Sequence, residues 1–507
     1  MLAAVIVVFV WDRLPVGIVA IGTALALWAT GVLELEQALA GFGDPTVIFI
    51  ASLFVVSEAL HATGVTSWAG QQLIARAGGS RTRLVVFTML LVAVLTALIS
   101  VNGAVAALVP VVVVMTVRLG RRPSELLIPL AFGAHAGSLL VLTGTPVNVI
   151  VSDAADEAGV GRFGFLEFGL VGVPLLAGTI VMVVLLGERL LPERSPPTIT
   201  RDFSQHARTL AEQYGLDANA LLTRRSGVVE VVIPPRSEVV GDTVFPGMAT
   251  ERGDLVVLAV QRRGADVEEE TALEVGDTLL LQGSWQALDE RIDDPDLLLV
   301  DSPRAVRGQA VPLGFRAKEA LAVLGGMVVL LATGAVPPAV AGLLAAGAVV
   351  LLHVLTPEQA YRGISWTTVV LVAGMISLST AMTETGAAKQ LADGLLSVVD
   401  GGYALLLGLF LLTAVLGQLI SNMATALIVV PIALSAAQEL DLSPKPVLMA
   451  VNVSAAASFL TPVATPANLM VMVPGGYRFA DYWKLGVPLL ALFGVVAVLL
   501  VPVFWSF

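Results

Sequence analysis

Residues 145–148 read Thr-Pro-Val-Asn and residues 465–468 read Thr-Pro-Ala-Asn, 320 positions apart and each inside an apolar tract. Upstream of each lies a second polar interruption. The first holds Ser100, Asn102 and Gly103, and the second holds Ser421, Asn422, Met423 and Thr425. Proline removes a backbone N–H, and its ring displaces the carbonyl one turn earlier. Such carbonyls cannot stay bare in lipid, so they face protein, water or a cation. Carbonyls, amides and hydroxyls together make a hard oxygen shell that suits Na⁺. A helix that restarts after a break offers free N–H groups and the positive end of its dipole to an anion. The four breaks are Ser100–Gly103, Thr143–Asn148, Ser421–Thr425 and Thr461–Asn468, and none contains Lys or Arg. Their residues predict a site for an anion and cations built without a buried charged side chain, which lipid would penalise. Thr143, Thr145, Pro146, Asn148, Thr461, Pro462 and Asn468 are expected to support the interrupted helices.

These breaks need helices to carry them. The chain has 507 residues, of which 56% are apolar and 13% charged, with a mean hydropathy of +0.88. Soluble domains are about one quarter charged. Apolar tracts such as 84–101, 168–187, 321–352, 402–420 and 485–507 approach or exceed the roughly 20 residues of a spanning helix. A polytopic α-helical membrane protein is therefore expected, with lipid as one partner. Residues 1–10 are apolar but lack a basic leader, so they are read as a retained helix. There are no cysteines, which excludes disulfides, thiolate metal sites and cysteine nucleophiles. No phosphate-cradling loop, nucleophile triad or metal-ligand cluster stands out, so no catalytic residue, no cofactor and no nucleic-acid partner is expected.

Hydropathy falls between 191 and 315. Residues 227–244, 253–267 and 276–284 alternate apolar and polar positions between Gly-Asp and Pro-Pro turns, and 284–292 reads as a short helix. A small α+β domain with a core of about 205–300 is expected here, between membrane halves 1–190 and 316–507. Residues 201–300 carry 19 acidic against 9 basic side chains, which accounts for most of the net charge of −12. The acidity therefore says little about a transported ligand.

The two halves read as one duplicated unit. Gly41/Gly363, Thr46/Thr368, Ser57/Ser379 and Thr63-Gly64/Thr385-Gly386 coincide at an offset of 322, and Asn102/Asn422 and the Thr-Pro-x-Asn runs at 320. Arg81, Arg83, Arg118, Arg121 and Arg122 flank the apolar pair 84–117, which places both its ends in the cytoplasm as a re-entrant hairpin. The pair 402–437 is flanked by Asp393, Asp400, Glu439 and Asp441 and enters from the other side. The expected fold is thus two inverted-topology repeats, each with a re-entrant hairpin and a broken helix, and a cytoplasmic insert between them. Inverted repeats with matching discontinuous helices are a pattern of secondary transporters.

At these residues the chain resembles the divalent anion–sodium symporters of the ion-transporter superfamily, which carry Ser-Asn-Thr at each hairpin tip and Thr-Pro-x-Asn in each following helix. The likeness spans roughly 14–190 and 318–507. It implies a homodimer, an elevator-type alternating-access movement and sodium-coupled uptake of sulfate or dicarboxylate, in a multi-pass bacterial-type inner membrane. It further implies one sodium site on Ser100, Asn102 and the Gly144 carbonyl, and a second on Ser421, Asn422 and the Ala464 carbonyl. The anion would lie against Asn102, Gly103, Asn422, Met423, Thr465 and Pro466. The tips here read Ser-Val-Asn-Gly and Ser-Asn-Met, so both tip threonines are replaced, and Thr425 stands one turn further on. Residues 228–244 and 274–284 resemble the TrkA-C ligand-sensing domain of potassium-uptake regulators, which implies a small regulatory ligand on the insert.

A cation/proton antiporter or another oxyanion permease of the same superfamily is the alternative. An antiporter would want acidic residues deep in the breaks, and none is present. Glu58 and His61 lie near a helix end and are read as snorkelling to the interface. His135, which precedes the first Thr-Pro break, is expected to be packed or hydrogen-bonded. Trp28, Trp68, Trp366 and Trp483 read as interfacial anchors.

Overall fold

The computed structural model describes residues 2–11, 13–65, 68, 80–119, 121–192, 194, 226–250, 254–262, 265–267, 270–289, 296–300, 316–399, 401–462 and 464–507. Residues 195–225, which include the first part of the expected 205–300 core, residues 301–315, Asp400, Glu268 and Glu269 lie outside these. The chain divides into two compact units. One comprises 1–59, 72–199 and 319–507, and the other 60–71 and 200–318.

The first unit is helical. Its N-terminal part holds α1 (Leu2–Trp11), α2 (Val16–Ala29), α3 (Leu35–Leu39), α4 (Pro45–Ala62, whose end passes into the second unit), α5 (Arg81–Leu98), α6 (Val101–Arg118), α7 (Leu127–Gly137), α8 (Pro146–Glu157) and α9 (Gly169–Leu190). In the second unit lies α10 (Trp285–Asp289). The C-terminal part of the first unit holds α11 (Ala317–Thr333), which begins just before the unit boundary, α12 (Pro338–Leu351), α13 (Pro357–Gly363), α14 (Trp366–Glu384) and α15 (Ala387–Leu396). There follow α16 (Gly402–Gly417), α17 (Asn422–Glu439), α18 (Pro444–Ala456), α19 (Pro466–Met472), α20 (Tyr482–Val495) and α21 (Val501–Phe504). Among the described residues, 6 helical segments are long and apolar enough to cross a membrane, and α2, α12 and α16 are shorter apolar helices.

Each helix end near a polar interruption falls where the sequence weakens a helix. α5 stops before Ile99-Ser100 and α6 restarts at Val101. α16 stops at Gly417 and α17 restarts at Asn422, with Ser421 accepting from the Ala424 N–H at 3.3 Å as an N-cap. The proline at the first position of α8 and of α19 needs no N–H donor there, and Thr145 and Thr465 cap the two helices. Trp28, Trp68, Trp366 and Trp483 are all exposed.

In the second unit β1 (Ser226–Val232), β3 (Leu255–Arg262), β4 (Ala265–Asp266), β6 (Thr278–Ser284) and β7 (Leu298–Leu299) form one sheet in the order β4-β3-β6-β1-β7. All its neighbours are antiparallel, and β1 pairs with β6 from Ser226↔Ser284 to Val232↔Thr278. β2 (Thr243–Val244) and β5 (Thr271–Ala272) pair separately. The alternating apolar positions Val229, Val231, Val257, Leu279 and Leu281 meet Trp285 and Leu288 of α10 in a small core. Gly227 lies under the Trp285 ring, and any Cβ there would collide with it. Arg262 ties this unit together through Asp277 at 2.7 Å and Glu274 at 2.9 Å. The Arg262 hydrogen bond holds the Asp277 carboxyl below the usual carboxylate range.

Candidate functional site

The two Thr-Pro-x-Asn asparagines do the same local work. Asn148 Nδ2 donates to the Ser138 carbonyl at 2.8 Å and the Val141 carbonyl at 2.9 Å. Asn468 Nδ2 donates to the Ser458 carbonyl at 2.8 Å and the Thr461 carbonyl at 3.0 Å. All three positions in each clamp are 320 residues apart. Each amide reaches back across the non-helical stretch and satisfies carbonyls released where α7 or α18 ends. Both asparagines are fully buried, so these are bonds that water cannot replace.

Because a carbonyl only accepts, these clamps fix which end of each amide points where. Asn148 Oδ1 accepts from Asn452 Nδ2 at 2.9 Å, and Asn452 belongs to α18 of the other half. Asn468 Oδ1 meets His135 Nε2 at 3.2 Å, and His135 belongs to α7, again of the other half. Nε2 therefore carries the imidazole proton. Thr465 Oγ1 lies 3.2 Å from the same nitrogen and accepts from the Asn468 N–H at 3.3 Å. Each half thus braces the break of the other.

Further bonds brace the two tip segments and the stretches around the breaks. Gly103 N–H donates to Ser100 Oγ at 3.2 Å, and Ser458 Oγ donates to Asn422 Oδ1 at 2.6 Å. Thr143 Oγ1 donates to the Ala97 carbonyl at 2.8 Å, while Thr461 Oγ1 accepts from the Ala464 N–H at 3.2 Å. Gln418 accepts from the Leu460 N–H at 3.0 Å and donates to the Ala457 carbonyl at 3.2 Å. Gly144 packs so tightly on the Ser138 backbone that any Cβ would collide with its carbonyl. A glycine there leaves the main chain itself as the surface of the site.

A cavity of about 100 Å³ opens where these segments meet. Ser100, Asn102, Thr143, Gly144, Thr145 and Pro146 line it from the first half, and Ser421, Asn422, Met423, Ala464, Thr465 and Pro466 from the second. Gly103, Asn148, Thr425, Thr461, Pro462 and Asn468 are not among its lining residues. Thr425 is fully buried, and its hydroxyl has no hydrogen-bond partner among the described residues. The cavity also takes in Ile50, Leu53 and Phe54 of α4, Thr368 of α14, His135, Ser138 and Asn452. None of the described lining residues is Asp, Glu, Lys or Arg. His135 fills the hydrogen-bonded role expected of it. Asn452 was not anticipated, because its counterpart 320 residues earlier is Phe132 and nothing in the repeat marks it.

The chain matches the citrate transporter family over residues 6–427 and again over 328–507. It belongs to that family. It is 30% identical over 603 aligned positions to the uncharacterized transporter YfbS of Escherichia coli, covering 100% of this chain and 98% of that one. Sodium/sulfate cotransporter 2 of Chlamydomonas reinhardtii is 28% identical over 297 positions, 55% of this chain and 32% of the cotransporter. Among solved structures, the YdaH transporter of Alcanivorax borkumensis covers 98% of both chains at a TM-score of 0.48 and 15% identity. This citrate transporter family member is accordingly a multi-pass membrane transporter and not an enzyme.

Proposed function

We propose that this transporter is a sodium-coupled symporter of a small divalent anion, with sulfate favoured over dicarboxylates. The observation that carries the proposal is the cavity shared by both tips and both breaks with no charged side chain among its described lining residues. A divalent anion held there needs its charge balanced by bound cations together with N–H groups and dipoles. Ser100, Asn102 and the Gly144 carbonyl form the first sodium site, and Ser421, Asn422 and the Ala464 carbonyl the second. The anion lies between the tips against Asn102, Asn422, Met423, Thr465 and Pro466. The partial similarity to a sodium/sulfate cotransporter supports this ion pair. That no carboxylate stands among the described lining residues of this cavity argues against cation/proton antiport.

Transport on this reading uses an elevator-type movement of inverted repeats within a homodimer in a bacterial-type inner membrane. The paired clamps at Asn148 and Asn468 support the repeat relation. The sheet unit is a TrkA-C-like cytoplasmic domain that takes a small regulatory ligand.

Purified protein in liposomes tests the coupling. An inward sodium gradient should drive labelled sulfate to an internal level above the external one, and replacing sodium with potassium should abolish this. Sulfate flux that is indifferent to sodium would reject symport, and accumulation of succinate but not sulfate would move the assignment to dicarboxylates.

A further inference from the structure

The second break is held by a contact that the first lacks. Tyr482, at the start of α20, is fully buried and donates through its hydroxyl to the Asn468 main-chain carbonyl at 2.6 Å. Its counterpart 320 residues earlier is Arg162, so the repeat supplies no such hydroxyl to Asn148. The Asn468 side chain is already committed to the Ser458 and Thr461 carbonyls and to His135. Its main-chain oxygen is the point at which α20 grips the break.

An ion pair lies next to Tyr482 in the chain. Asp481 is 3% exposed, and Arg194 Nη1 lies 2.8 Å from its Oδ2 and Nη2 3.4 Å from its Oδ1. The same carboxylate accepts from the Arg478 N–H at 2.7 Å, and Arg194 Nη1 donates to the Gly476 carbonyl at 3.3 Å. Arg194 follows α9 in the stretch of chain that leads to the sheet unit. The first half holds its main chain. The Arg194 N–H donates to Ser124 Oγ, and that hydroxyl donates to the Arg194 carbonyl, both at 2.9 Å. Tyr477 closes the joint, donating to the Ser124 carbonyl at 2.6 Å and accepting from the Ile128 N–H of α7 at 3.0 Å. The tether of the sheet unit, the foot of α7 and the turn between α19 and α20 thus meet. Two arms lead from this joint to Asn468, one along α7 to His135 and one through Tyr482. The counterparts of Tyr477 and Asp481 in the first half are Glu157 and Gly161, so the joint is not duplicated.

A buried ion pair is weak evidence for stability, because desolvation offsets its attraction, and its best-attested use is to fix a register. We infer that Arg194 and Asp481 are positioning residues for transport, holding Tyr482 where its hydroxyl fixes the Asn468 carbonyl and so fastening the tether of the sheet unit to the second break. The inference rests on the ion sites proposed above.

The test uses full-length protein, with wild type beside Tyr482→Phe, which removes one hydroxyl, and the paired change Arg194→Met with Asp481→Leu. Removing both charges avoids stranding one of them in the core. Amide exchange across 465–472, measured in detergent without sodium or sulfate and against α9 as an internal reference, reads the hold on the break. It should quicken about fivefold or more in both variants, the scale of one lost buried hydrogen bond. In liposomes the sulfate KM should rise about fivefold as well, as expected when a positioning bond is lost. Combining all three changes should add little to either variant alone, because the pair acts through the Tyr482 hydroxyl. A merely structural role would quicken α9 equally and leave the sulfate KM at its wild-type value. Unchanged exchange in Tyr482→Phe overturns the inference, whether or not the paired variant folds, and so does faster exchange with an unchanged sulfate KM. If wild type takes up no sulfate, the symport reading fails on that result, whereas the exchange arm needs no substrate and still decides whether the pair holds the break.

Discussion

At the scale of single residues, four asparagines divide into two kinds. Asn148 and Asn468 are buried clamps on carbonyls, while Asn102 and Asn422 line the cavity at the hairpin tips. The two kinds should respond differently to truncation. Asn468→Ala takes the Nδ2 donor from the Ser458 and Thr461 carbonyls and leaves the His135 N–H with Thr465 Oγ1 alone, and a buried unsatisfied group costs about 1–3 kcal/mol. It should lower the melting temperature of purified protein by several degrees and reduce uptake. Asn422→Ala should reduce uptake to near background with a melting temperature close to wild type when no ligand is added. Both outcomes are read by scanning fluorimetry beside a transport assay. The sequence named these four because polar residues recur at one offset within apolar tracts. It could not name Asn452 as a cavity residue, and it placed His135 only as a bonded group. Both act across the two halves, and their repeat counterparts are Phe132 and Ala455. A partner chosen by tertiary packing leaves no mark in a comparison of one half with the other.

Elements explain why the breaks can sit where they do. The turn after α7 presents the Leu139 carbonyl to Gly172 of α9, and the turn after α18 presents the Phe459 carbonyl to Gly486 of α20. In both places a Cβ would collide with that oxygen, so glycine lets a helix press against exposed main chain. Gly172→Ala and Gly486→Ala should each lower thermal stability, although alanine favours helix by up to about 1 kcal/mol. Gly325→Ala in α11 meets nothing within 4 Å and should be neutral or stabilising. Comparing the three melting temperatures separates contact from propensity. The sheet unit offers a second element-level test. Because Arg262 depresses the Asp277 carboxyl, that pair contributes stability fully above the ordinary carboxylate pKa of about 3.9. The contribution is lost as pH falls through the lower, folded value. Hydrogen exchange in β3 and β6 of the full chain should be slower in wild type than in Asp277→Asn at neutral pH, and the difference should shrink as the medium approaches pH 3. Strand alternation was legible along 227–284. The separate pairing of β2 with β5 was not, since two-residue strands carry no period of their own.

For the whole molecule, the decisive property is that 320 residues of sequence distance collapse to one cavity. The helical class and the interruption points could be read from hydropathy and proline, because both are local. That all four interruptions share one small space depends on packing between halves, and only the duplicated spacing hinted at it. Orientation is a separate proposition, and the absence of cysteine makes it testable. A single cysteine at Asp242→Cys, in the sheet unit, should resist a membrane-impermeant maleimide applied to intact cells, whereas Asp156→Cys should react, since it ends the broken helix α7–α8 that leads away from the cytoplasmic Arg121 and Arg122. Reaction at Asp242→Cys in intact cells would contradict a cytoplasmic insert.

The most direct measurement is thermal unfolding of the purified full chain with sodium, with sulfate, and with both. A ligand held by the native state raises stability by mass action, about 2.7 kcal/mol at one hundred times its dissociation constant. Sodium and sulfate together should stabilise wild type by more than the two separate shifts combined, and Asn102→Ala and Asn422→Ala should each lose that excess. An equal shift in wild type and both variants would place the ions somewhere other than between the two tips, and would contradict the account.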